Sequence, residues 1–318
     1  MGDDHTVSEG HSQNPSRAAS NRQHSLSAEP LFIGNWMEVV MIHYEVDPGE
    51  LQTLVPFELD LWNGRAFISL VAFRLTGMRP RWGGRVLAGL FRTEDFLNVR
   101  TYVVQSGEPG IFFLVEWLSG RLSVALGPLL FGLPYRPGYL AYDHGRSARA
   151  ETPGGLRGRV VPSKGAGQLL YRGTAIGTEY RECESRSLEE WLMERYTAFT
   201  GVGGRRRFFR VFHAPWKQVK AQIEVVDNSL LLANWRFFER GKLVGANFSP
   251  GLTDVSMGWP HWIAKDRRLG MSRSRTSRGR LLDKRRVKFW FGGRPEGVSG
   301  QERIGKTALK HCRRSLAC

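Results

Sequence analysis

From about residue 30 to residue 262 the sequence is a succession of short runs of β-branched and aromatic residues, each ended by turn residues, with few helical interruptions. Asn63-Gly64 separates residues 58–62 from residues 65–75. Both central positions of a two-residue type I′ turn need positive φ, so this pair predicts a hairpin. Residues 98–104 and 111–118 form a second predicted hairpin, turned through Gly107-Glu108-Pro109-Gly110. Further strands are predicted over 157–161, 169–176, 208–213, 222–226 and 230–238. No repeat of fixed period occurs. Regular strand-helix-strand alternation is missing, which argues against a doubly wound parallel sheet.

Helices are few but marked. Ser187 and Glu190 make a capping box, and Leu188, Trp191, Leu192, Tyr196 and Phe199 fall on one helical face, with Gly201 as a C-terminal stop. Shorter helices are predicted over 48–54 and 121–130. The expected fold class is therefore α+β and strand-dominated: a β-barrel or strongly curved antiparallel sheet with external helices.

The chain's net charge of +16 invites a nucleic-acid reading, so its distribution matters. Residues 265–318 hold 17 Lys/Arg against 4 Asp/Glu, a net of +13, which leaves +3 for the other 264 residues. The expected organisation is a disordered N-terminal segment over 1–29, a barrel domain over 30–262, and a basic, disordered tail over 263–318. Non-specific nucleic-acid binding, if any, is expected from the tail, through phosphate contacts.

No charged segment followed by an apolar one marks a secretory signal. Met1-Gly2 with Thr6 fits a myristoylation pattern formally, but no polybasic segment lies nearby to complete an anchor. The longest apolar stretch, around 122–133, is too short and too broken to span a bilayer. Cys183, Cys312 and Cys318 form no CxxC pair. The expected setting is cytoplasmic, with no membrane partner.

Several motifs carry no chemistry. Gly300 with Gly305-Lys306-Thr307 matches a phosphate-binding loop, but Pro295-Glu296-Gly297-Val298-Ser299 before it is no strand. The glycine-rich run 201–204 follows a helix and leads into Arg205-Arg206-Arg207, the wrong order for dinucleotide binding. The Asn247-Phe248-Ser249 sequon lacks a secretory route. No GxSxG elbow, Ser/His/Asp spacing or HExxH motif is present, so no metal and no cofactor is expected.

The strand around Asn98 is more informative. By period 2, Asn98, Arg100 and Tyr102 share one face, and Val99, Thr101 and Val103 the other. An arginine facing a lumen needs an anionic partner. From pattern alone, a solvated polar face over a Val99/Val103 core is the plainer reading. His43 and His213 lie on separate predicted strands, the latter beside Pro215-Trp216.

Five blocks in order resemble the YqjF-like family of uncharacterised, mainly bacterial proteins. They are Ile42-His43-Tyr44-Glu45-Val46-Asp47-Pro48 with Leu54-Val55-Pro56, Asp60-Leu61-Trp62-Asn63-Gly64-Arg65, Asn98-Val99-Arg100-Thr101-Tyr102, Leu130-Phe131-Gly132-Leu133-Pro134-Tyr135, and His213-Ala214-Pro215-Trp216. The family is similar to acetoacetate decarboxylase in fold, a β-barrel with external helices and a central cavity. That resemblance implies that Asn98, Arg100 and Tyr102 face a lumen.

It does not imply the decarboxylase mechanism, which needs a lysine amine whose pKa a second lysine lowers. No Lys-Lys pair exists here, and the similar segment reads Gly132-Leu133-Pro134-Tyr135-Arg136. Lys164 is the only lysine in residues 1–216. Relatives carry Glu where this chain has Phe96, and Glu94 and Asp95 fall toward the preceding loop.

The expected function is binding of a small anionic organic molecule by His43, Asn98, Arg100, Tyr102, Tyr135, His213 and Trp216, with Arg100 as charge anchor. The alternative is a non-imine enzyme acting on a keto acid or related carboxylate, with Tyr135 or His213 in acid/base roles.

Overall fold

A computed structural model describes residues 30–82, 93–145, 155–202 and 205–263. The expected terminal segments over 1–29 and 264–318, including the phosphate-loop match, lie outside the described residues.

The sheet begins with long antiparallel strands: β1 (Phe32–Val46), β3 (Ala66–Pro80), β4 (Glu94–Gln105) and β5 (Glu108–Leu118), with β2 (Glu58–Leu59) at the edge beside β4. A meander follows: β6 (Tyr135–His144), β7 (Gly155–Pro162), β8 (Leu169–Ala175) and β11 (Val219–Asp227). The hairpin β9 (Thr197–Val202) and β10 (Arg205–Phe212) lies on the other side of β5 from β6, the short β13 (His261–Trp262) pairs with β10, and β12 (Lys242–Met257) lies between β11 and β1. β5 pairs parallel with β6 at Glu116 and with β9 at Ile111. Both branches lead back to β12, through β11 and through β10, and β12 pairs with β1.

Most central strands are buried on both faces. On β1, Val40 and Ile42 enter one apolar cluster while Val39 and Met41 enter a second. On β4, Leu97, Val99 and Val103 join the first cluster, and Phe96 and Tyr102 the second. This explains the near-continuous apolar runs, which a half-solvated strand would not carry. The polar face of β4 is not solvated, so pattern alone misjudged it.

Among the described residues, four helices decorate the sheet: α1 (Pro48–Gln52), α2 (Arg121–Phe131), α3 (Leu188–Met193) and α4 (Ser229–Asn234). A 3-10 turn follows at Arg236–Glu239. None of the described helices is long and apolar enough to cross a membrane.

Several local expectations are corrected. Asn63 and Gly64 do form the tight turn, with φ of 51° and 76°, but only Trp62 and Arg65 bridge across it. Residues 58–59 pair instead with Val104 and Val103 of β4. The β4–β5 turn is Ser106-Gly107, both at positive φ, and Glu108 to Gly110 already belong to β5.

The predicted helix over 188–199 stops at Met193, because residues 197–202 pair with β10 and β5. Tertiary pairing outweighs the helical period there. Ser187 caps Glu190 N at 3.1 Å as expected, but the Glu190 carboxylate accepts from Arg186 N. The predicted strand over 230–238 is helical, and Leu230, Leu231, Phe237 and Phe238 fill the first cluster. A short apolar run does not distinguish these outcomes.

Candidate functional site

The second face of β4 opens onto a cavity of about 90 Å³. Trp36, Phe73, Phe209 and Trp216 give it aromatic walls. Its polar lining comes from Asn98, Arg100, Glu116, Tyr135, Arg195 and His213. Of the residues singled out from sequence, Asn98, Arg100, Tyr135, His213 and Trp216 therefore lie on the wall. His43 and Tyr102 are buried behind it.

Those two residues form a chain leading to Arg100. Asn247 Nδ2 donates to Gln218 Oε1 at 2.8 Å, which turns its Oδ1 toward His43 Nε2 at 3.1 Å. Ser69 Oγ lies 2.7 Å from His43 Nδ1 and 2.5 Å from the Tyr102 hydroxyl, which links the three side chains. Tyr102 donates to Leu192 O at 2.9 Å, the carbonyl that also accepts from Arg100 Nη2 at 3.4 Å. Burial, aided by the Arg100 charge, drives the His43 pKa down to about 3, so the imidazole is neutral. His43 thus acts as a hydrogen-bonding spacer that positions the wall.

Arg100 is 5% exposed; its Nη2 donates to Leu192 O at 3.4 Å and lies 4.0 Å from Met41 Sδ, and the Tyr102 hydroxyl is a further hydrogen-bonding neighbour. Its Nε has no partner, and among the described residues it makes no ion pair. Burial lowers its pKa, but a guanidinium remains charged at any working pH.

Arg195 differs. It pairs with Asp60 at 2.7 Å, donates from Nε to Trp191 O at 2.7 Å, and stacks 4.3 Å over the Trp191 ring. Only its Nη2 is unpartnered.

The opposite side carries acids. Glu116 faces Asn98 across the β4–β5 ladder and pairs with Tyr135 across β5–β6. Its Oε1 has no partner, and burial raises its pKa well above the carboxylate range, against the pull of Arg100. Glu94, expected near a loop, instead begins β4 with a buried side chain. Its Oε1 accepts from Ser123 at 3.1 Å, and burial raises its pKa. Burial first, then Glu116 and Glu94, push the Tyr135 hydroxyl well above its usual value.

His213 stacks on Tyr196 at 4.6 Å and donates from Nδ1 to Ala214 O at 2.7 Å. Burial, with a contribution from Arg100, lowers its pKa to about 4.

The site therefore sets Arg100, which closes no ion pair among the described residues, opposite Asn98, Glu116, Tyr135 and His213 between aromatic walls. Among the described residues no lysine lines it, and Lys164 is exposed. Among the described residues no His/Cys/Asp/Glu group is arranged to hold a metal. Glu116 and Arg195 were missed from sequence. Glu116 had a signal, a lone charge in the apolar run 111–118. Arg195 was hidden by the overextended helix.

Comparison with known proteins gives a consistent picture. The model of DUF2071, a family described as an uncharacterised conserved protein, matches residues 34–247. An uncharacterised protein of Bacillus subtilis (strain 168), YqjF, is 32% identical over 197 residues, covering 61% of this chain and 78% of that one. An acetoacetate decarboxylase-like enzyme from Sphingomonas wittichii RW1 superimposes with a TM-score of 0.52 at 14% identity, over 73% of this chain and 93% of its own. The enduracididine biosynthesis enzyme MppR, complexed with pyruvate, gives 0.53 at 12% identity, over 74% and 91%. At these identities the structural likeness speaks for the fold alone.

Proposed function

The chain belongs to the DUF2071 family, and from that premise and the cavity's chemistry we propose that it binds a small organic monoanion, with Arg100 as the charge anchor. The observation that carries this reading is the buried Arg100 guanidinium, with Nε unpartnered on the cavity wall. A charge held out of water without a counter-ion is costly, and a bound carboxylate supplies both the charge and the bidentate acceptor geometry.

Size bounds the ligand. A cavity of roughly 150 Å³ holds benzene, so about 90 Å³ suits a shorter acid. Trp36, Phe73 and Trp216 cover its apolar part, Asn98 and Tyr135 supply polar contacts, and the His43–Ser69–Tyr102 chain holds Leu192 O against Arg100. The circuit of strand pairings is read as a closed β-barrel around this space. The fold likeness to MppR complexed with pyruvate supports a carboxylate-sized occupant.

The second reading is an enzyme of non-imine type acting on a keto acid or related carboxylate. It is favoured by Tyr135, which stands beside the buried carboxyl groups of Glu116 and Glu94. The test is calorimetric titration of the full chain with short carboxylates, with the recovered ligand checked by NMR. Saturable binding of an acid returned unchanged supports the binding reading, and turnover supports the enzyme. Absence of binding by every acid overturns both.

A further inference from the structure

Resting on the reading of the cavity as a carboxylate site, we infer that Glu116 is the ligand's second polar anchor, donating a carboxyl hydrogen bond to a carbonyl or hydroxyl oxygen on the ligand's carbon skeleton. Its target class is then an oxo or hydroxy monocarboxylate rather than a plain alkyl acid.

Placement comes first. Glu116 lies directly opposite Asn98, which is two residues along β4 from Arg100. Residues two apart on a strand are separated by about 6.8 Å. That span suits a short acid whose carboxylate sits on Arg100 and whose oxygen reaches Glu116. Both groups line the same cavity. Glu116 Oε1 is buried without a partner, so it is not consumed by the fold. A purely structural role would show it closing an ion pair with Arg100, and among the described residues it does not.

Charge selects the class. Arg195 is offset by Asp60, and burial holds the His213 pKa near 4, so among the residues lining the cavity Arg100 is the cation without an ion pair. Burial raises the Glu116 pKa well above the carboxylate range, against the pull of Arg100, which favours the acid form that carries a proton to donate. A monoanion closes this balance. A zwitterionic amino acid leaves one cation uncompensated, and a dicarboxylate brings one anion too many. An alkyl acid leaves the Glu116 O–H without an acceptor, and a site built to hydrogen-bond a substrate oxygen rejects analogues that lack it.

The test uses pyruvate, lactate and propionate, matched at three carbons, titrated into the full chain as wild type, Glu116→Gln and Glu116→Leu. Glu116→Met serves as a second apolar replacement should the leucine variant fail to fold. The wild type is expected to bind pyruvate or lactate at least fivefold more tightly than propionate. Glu116→Gln, whose amide still donates, keeps that ratio within twofold, and the apolar variants bring it to about one while still binding propionate. Equal affinities in the wild type, or a ratio that survives in the apolar variants, overturn the role of Glu116 and leave the carboxylate reading standing. If none of the three acids binds the wild type, both fall.

Discussion

Replacing Arg100 with methionine isolates the electrostatic cost of the site. The Arg100 guanidinium reaches Met41 Sδ and Leu192 O, and an unbranched methionine replaces the apolar stem without the charge. What the substitution removes is a buried charge with an unpartnered Nε and one 3.4 Å bond. Leu192 O loses that donor but keeps Tyr102 at 2.9 Å. An unsatisfied buried polar group costs about 1–3 kcal/mol, and exchanging buried ionic groups for apolar ones is neutral to stabilising by about 1–4 kcal/mol. Arg100→Met is therefore expected to raise the unfolding free energy of the unliganded protein by about 1–3 kcal/mol. Urea denaturation at pH 7.5 reads this as a higher midpoint with unchanged m. A second readout is independent of stability. Arg100 helps to lower the pKa values of His43 and His213, so both rise in the variant, as followed by NMR of the ring protons. Loss of more than about 1 kcal/mol with unmoved histidine titrations would refute the reasoning, because it would mean that the guanidinium is already satisfied.

Two further perturbations probe the frame of the site. His43 titrates near 3 in the fold against 6.5 unfolded, so its contribution is fully present above pH 6.5 and is lost as pH falls toward 3. By pH 4.5 two pKa units correspond to about 3 kcal/mol. Glu94, Glu116 and Glu194, with raised values, run the other way and are common to both proteins. In His43→Gln the difference in unfolding free energy between pH 7.5 and 4.5 shifts by about 3 kcal/mol in favour of acid; an unchanged difference contradicts a buried neutral imidazole. Gly127 on α2 packs against the Tyr135 ring so closely that a Cβ there would overlap it. Gly127→Ala is expected to cost about 1–3 kcal/mol by overpacking, despite alanine's better helix propensity. A neutral or stabilising result in thermal unfolding would show that Tyr135 sits elsewhere.

The strand-rich body was legible because its signals are local. Asn63-Gly64 fixes a turn wherever its flanks go, and alternation on β4 places Asn98, Arg100 and Tyr102 together. Partner choice was not legible. Residues 58–59 joined β4 rather than β3, a choice made by contacts more than 40 residues away. Residues 197–199 read as helix until β10 and β5 claimed them. The same gap hid half of the site. Arg195 sits on the wall only because α3 ends early, and Glu116 matters only because β5 lies between β4 and β6. His43 was visible as a strand histidine, but its separation from the cavity by Ser69 and Tyr102 depends on β1, β3 and β4 lying side by side.

A crystal of the protein soaked in pyruvate at moderate concentration tests the central claim most directly. The expected result is a carboxylate bound to Arg100 Nε and Nη2 inside the cavity, with the 2-oxo oxygen toward Glu116. Pyruvate bound elsewhere on the protein, or a cavity that holds only water while Arg100 turns to a protein carboxylate, would contradict it.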